Sequence, residues 1–131
     1  MPASATVGYQ NVTDIVLDMT STVAAGATET FSIKVTRGFK VVGLTCIAEA
    51  TAAGSSVEIR KGAGVIVTGL AMVTANAVTN AATLAVANID FATGDTLNVA
   101  VTSGAGVNAQ GVIIVRTEPL ALGDATTVVA V

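Results

Sequence analysis

The side chains able to do chemistry in this chain are few, and their types set narrow limits. There are nine carboxylates (Asp14, Asp18, Glu29, Glu49, Glu58, Asp90, Asp95, Glu118 and Asp124), one thiol, Cys46, and no histidine. Without histidine the commonest general base and the commonest metal ligand are both missing, and no Ser-His-Asp triad can be assembled. A single cysteine excludes a cysteine-based zinc site and an internal disulfide. Set in an apolar run with no base to activate it, Cys46 reads as a small buried hydrophobe. Paired carboxylates remain a device the composition allows. The nine are dispersed, however, and most fall at strand ends and turns, where such groups face solvent; Asp18, Asp90 and Asp95 read as structural rather than calcium-binding.

The glycines carry no phosphate chemistry. Gly62-Ala63-Gly64 and Gly104-Ala105-Gly106 lack the Gly-x-Gly-x-x-Gly spacing, open no helix and end in no Gly-Lys-Ser/Thr, so they read as hairpin glycines. Asn11-Val12-Thr13 matches a glycosylation sequon, but no secretory signal accompanies it: the first residues hold no Lys or Arg and no apolar stretch follows. The expectation is a non-enzyme made in a cytoplasm, with no catalytic residue, cofactor or metal.

The elements that would position these residues are strands. Ile15, Leu17 and Met19 alternate with Asp14, Val16 and Asp18, and Phe31, Ile33 and Val35 alternate with Ser32, Lys34 and Thr36. A nearly continuous apolar run, Phe39 to Ala50, is expected to point Val42, Leu44, Cys46 and Ala48 inward. Val57, Ile59 and Lys61 oppose Ser56, Glu58 and Arg60; Val65 to Val67 follows a tight hairpin. Ala71 to Ala82 has no period and reads as a loop, and Thr83 to Phe91 reads as extended. Leu97, Val99 and Val101 alternate with Asn98, Ala100 and Thr102, and Gly111 to Glu118 is a last strand ended by Pro119. These patterns predict an all-β protein, an eight-stranded antiparallel β-sandwich of jelly-roll type. Its domain spans residues 13–119, with an N-terminal arm over 1–12 and a C-terminal arm or edge strand over 120–131.

Composition says what such a sandwich would do. Hydrophobic residues make up 52% of the chain, but aromatics only 3% and charged residues 11%. The charged share is under half the roughly 25% of ordinary soluble domains. A weakly ionised, apolar exterior is expected to be covered by partners, the first of them copies of itself. The six basic residues make no stripe that could follow nucleic acid. Despite a mean hydropathy of +0.75, Thr, Asn, Ser or Gly interrupts every apolar run, so no membrane helix is expected. The contact residues expected on the two arms are Tyr9 and Val12 at one end, and Leu120, Leu122, Val128, Val129 and Val131 at the other.

A family likeness follows from the middle of the chain. The apolar strand Val41 to Ala50, Ser56-Val57-Glu58-Ile59-Arg60-Lys61-Gly62, Val65-Ile66-Val67 and an Ala/Thr-rich stretch come first. Ile89-Asp90-Phe91-Ala92-Thr93-Gly94-Asp95-Thr96-Leu97-Asn98-Val99 and Gly111-Val112-Ile113-Ile114-Val115-Arg116 follow. This succession resembles the capsid decoration (cementing) proteins of tailed bacteriophages. The resemblance implies a jelly-roll domain, a homotrimer, attachment to the major capsid protein on the surface of an icosahedral virion, and no enzymatic residues. Two other readings share the fold expectation. A different phage part, such as a small coat, tail or fibre subunit, would differ in where it sits on the particle. A glycan-binding module would draw on aromatic platforms, which Tyr9, Phe31, Phe39 and Phe91 supply poorly.

Overall fold

Alternation of Val, Ile, Leu and Thr with polar residues suits a pleated surface with one wet side and one dry side. The computed structural model of the chain is built in that way from ten strands and no α-helix, over the described residues 5–11, 14–50 and 52–119. They are β1 (Ala5–Asn11), β2 (Asp14–Met19), β3 (Thr28–Lys34), β4 (Phe39–Ala48), β5 (Ser56–Lys61), β6 (Gly64–Ala71), β7 (Val78–Asn80), β8 (Asp90–Phe91), β9 (Thr96–Thr102) and β10 (Gly111–Pro119). Two antiparallel sheets result. The larger has the order β1-β2-β10-β4-β7, with β8 also on β4, and the smaller has the order β3-β9-β5-β6. The sheets face each other across an all-β sandwich core.

That core is filled by the alternating sets. Ile15, Leu17, Leu44, Ile113 and Val115 come from the larger sheet, and Val57, Ile59, Leu97, Val99 and Val101 from the smaller. Phe91 is fully buried, its ring stacked on Phe39 with centroids 5.0 Å apart. Ser103, also buried, donates its hydroxyl to the Val23 carbonyl (2.8 Å) and accepts from the Ala109 N–H (3.0 Å). It thereby reinforces a backbone bridge in which the N–H groups of Val23 and Ala109 each donate to the other's carbonyl.

The strand count and three details depart from the sequence expectation. Ten strands replace eight because β1 pairs with β2, and because the Ala71–Ala82 stretch contains β7, held by Thr45, Cys46 and Ile47 of β4. Such a three-residue strand is too short to show a period. Thr83 to Phe91 is not one extended strand. It passes through a 3₁₀ turn, Val86–Asn88, before the two residues of β8, and Val86 is 80% exposed. Val42 does not point inward. A bulge opposite Arg116 and Thr117 inserts it as an extra residue, so Phe39 and Val41 are buried, Val42 faces out, and Leu44, Cys46 and Ala48 resume the inward phase.

The stretch expected as an N-terminal arm contributes β1, in which Tyr9 stands opposite Ile15 of β2. Val12, Leu120, Leu122, Val128, Val129 and Val131 lie outside the described residues.

Candidate functional site

In an antiparallel sheet, residues directly opposite each other point to the same face. On the outer face of the larger sheet one row therefore runs Asp18, Val112, Ile47, Val78 and the next runs Val16, Ile114, Thr45, Asn80. Val16, Val112, Ile114 and Ile47 are only half-buried, and Val78 and Val42 are exposed. Thr45 in their midst donates its hydroxyl to Asn80 Oδ1 at 2.6 Å and so offers no free donor. At the margin, a Cβ on Gly43 would lie 3.4 Å from Arg116 Cδ, so the arginine stem crosses the sheet there. The result is a largely β-branched surface across β2, β10 and β4, with Asp18 in one row, Asp14 and Arg116 paired in another, and β1 continuing the sheet beyond β2.

The outer face of the smaller sheet has opposite chemistry. Its rows are Thr28, Thr102, Ser56 and then Ser32, Asn98, Arg60, with Thr30, Ala100 and Glu58 between them. The hydroxyls of Thr28 and Thr102 are 2.8 Å apart, Ser32 donates to Asn98 Oδ1 at 2.7 Å, and Arg60 donates to Glu58. This face satisfies its own polar groups and suits water. The contrast makes the larger sheet's outer face the more apolar of the two.

The titratable groups make turns and core. Asp95 accepts a hydrogen bond from the Ala92 N–H at 2.8 Å and faces Lys61 Nζ at 3.5 Å. The Ala92 N–H foremost holds its carboxyl below the usual aspartate value; burial opposes this, and Lys61 and Lys34 add further lowering. Lys61 also lies 5.9 Å from the centre of the Phe91 ring, so this turn is fastened to the core. Among the described residues no group of three or more Cys, Asp or Glu is gathered as a metal site would need. Asp18, Asp90 and Asp95 are in β2, in β8 and in the turn before β9, and they do not converge.

Burial pushes the Cys46 thiol up to about 11. A thiol whose pKa is raised on folding leaves stability intact below its unfolded value, near 9. Stability is then lost as the pH climbs from there toward 11. At pH 8 the folded chain is expected to resist a disulfide reagent such as DTNB, and to release one equivalent of thiol once unfolded in guanidinium. Rapid reaction of the folded chain would show that the strand bearing Cys46 opens.

A second feature runs along β6, the edge strand of the smaller sheet. A groove of about 730 Å³ lies between β6 and the segment from Thr79 to Ala85, and no charged side chain lines it.

The sequence reading placed contacts on the arms and passed over this apolar face. The signal was present in the unbroken runs Val112-Ile113-Ile114-Val115 and Val41-Val42, since a strand apolar at successive positions is dry on both faces. Comparison with models of protein families, with curated proteins and with solved structures gives no match.

Proposed function

We propose that this chain is a non-enzymatic structural protein of a virion, which decorates an icosahedral phage head and stabilises it by binding between major capsid subunits. The observation that carries the reading is the apolar outer face of the larger sheet. It is set on a rigid sandwich whose other face is polar and self-satisfied. A cementing protein needs that polarity: one side bound to the shell, the other in water. The strand orders support a jelly roll, since β2-β10-β4-β7 opposite β3-β9-β5-β6 is what two interlocked Greek keys produce. A homotrimer fits the same role, because three joined subunits turn modest contacts on a repetitive shell into tight attachment.

Cryo-microscopy of virus particles purified from cells that make this chain tests the proposal. Density matching the sandwich is expected on the head, with the larger sheet against the shell. Density confined to tail or fibres would replace the decoration reading with another virion part, and its absence from particles would remove both. Ile114→Lys, at a half-buried outward position, is expected to leave the domain folded and to reduce head occupancy at least tenfold.

A further inference from the structure

We propose that Arg37 of one copy docks between Asp18 and Glu49 of a neighbouring copy, joining the chains head to tail. The inference rests on the oligomeric part of the reading above and gives that oligomer its joint.

The strand registers sort the charged residues between the two ends of the sandwich. In the smaller sheet Lys34 stands opposite Thr96, Arg60 opposite Asn98 and Lys61 opposite Leu97. Phe91, paired with Phe39 and lying under Lys61, ties this end to the end of the larger sheet that holds Lys40 and Arg116. Arg37 lies between Lys34 and Phe39, at the same end. All six basic residues of the chain are therefore gathered there. The other end, where Thr28 meets Thr102 and Gly111 meets Ala48, carries Asp18, Glu29 and Glu49 and no Lys or Arg.

Most cations of the basic end have an acid beside them. Arg60 donates to Glu58, Lys61 faces Asp95, Lys40 stands in register with Asp90 and Glu118, and Arg116 with Asp14. Lys34 acts on Asp95 through its charge. Arg37 is different. It is exposed on the bend between β3 and β4, and its side chain makes no ion pair among the described residues. Its neighbours across the end are the small exposed residues Ala92, Thr93 and Gly94, with Thr93 donating to the Thr36 carbonyl at 3.4 Å. Another chain can approach the arginine closely.

At the acidic end a hollow of about 310 Å³ opens where β2 and β4 finish and β10 starts, lined by Asp18 and Glu49. Both carboxylates are exposed, and neither makes an ion pair among the described residues. Gln110 beside them already donates its amide to the Met19 carbonyl at 3.0 Å. Val112 and Ile47 give the hollow an apolar side. A guanidinium can bond two carboxylates at once, and its weak hydration suits such a site better than an ammonium would. The two features cannot meet within one chain. Arg37 precedes β4 and Glu49 follows it, so the ten residues of that strand, roughly 30 Å, hold them apart. Between copies they match, and head-to-tail contacts of this kind close a ring when the rotation allows it. Only the last row of the larger sheet's outer face is used, which leaves the row through Ile114 for the shell.

The test needs no virus. The full chain is expected to scatter light in solution as a multiple of 12.9 kDa, and to dissociate about tenfold more readily in roughly 1 M sodium chloride. Arg37→Glu alone, or Asp18→Arg with Glu49→Arg, changes exposed side chains only and should give a single chain with unchanged circular dichroism. The chain carrying all three reversals should assemble again, because the charges match once more with their signs exchanged. A parent that is a single chain, a multimer indifferent to the reversals, or a triple variant that stays single each overturns the proposal. Charge-dependent assembly by a chain that is absent from virus particles would sustain this inference and remove the virion reading. A chain found on heads whose multimer ignores the reversals would do the opposite.

Discussion

Replacing Phe91 by alanine is expected to cost about 3–5 kcal/mol of folding stability, among the largest losses a single side chain can cause. Phe91 is fully buried, stacks on Phe39, and lies under Lys61, which is itself paired with Asp95. Truncation removes an aromatic ring from a chain with only four aromatic residues, and the Val and Ile side chains that make up much of the core are stiff at χ1 and poorly suited to fill a void. Against a typical total of about 5–15 kcal/mol, a loss of that size leaves the domain near its threshold. Chemical denaturation should show a lower midpoint with an unchanged slope. Val86→Ala is the matching control, because Val86 is 80% exposed and its truncation should stay within about 0.5 kcal/mol. Equal effects at the two positions would show that the Phe91 ring is not a core element.

The second large effect is expected at Gly111. A Cβ there would drive into the carbonyl oxygen of Ile47, with Met72 Sδ at 3.1 Å and Ala48 Cα at 3.2 Å behind it. Ile47 and Ala48 belong to the ladder that holds β10 to β4, so relief requires moving backbone in the middle of the larger sheet. Overpacking of this kind costs about 1–3 kcal/mol and occasionally more, and here the nearest obstacle is backbone that cannot swing aside. Gly111→Ala should therefore fall largely into the insoluble fraction, or melt well below the parent. Gly43→Ala places the same methyl on the same sheet against the flexible Arg116 stem at 3.4 Å, and should cost under about 1 kcal/mol. A Gly111→Ala protein as stable as Gly43→Ala would refute the close approach.

The sequence disclosed the fold wherever one side of a strand is wet. β2, β3, β5 and β9 alternate without interruption, and their inward residues were legible one by one. Where period alone was followed it failed for local reasons. The bulge at Val42 shifts the phase by one residue, and its local mark, Gly43 beside it, is one that a period-two reading passes over. β7 and β8, of three and two residues, are fixed by pairing with β4 rather than by their own pattern. The candidate surface was less visible. Val112 and Ile114 look like core in the sequence, and only the register with Asp18, Ile47 and Val16 places them together on one outer face. The groove at β6 is a relation between elements distant in sequence, and no local pattern encodes it.

The position of β10 has a consequence for synthesis. It is the last described strand, yet it lies between β2 and β4 and is the sole bridge between them in the larger sheet. A nascent chain therefore carries both flanking strands without their shared partner until residue 119 has cleared the ribosome. Such non-local closure makes for slow, all-at-once folding rather than stepwise assembly during translation. Messages broken within the last strand's codons should yield chains that quality-control proteases remove.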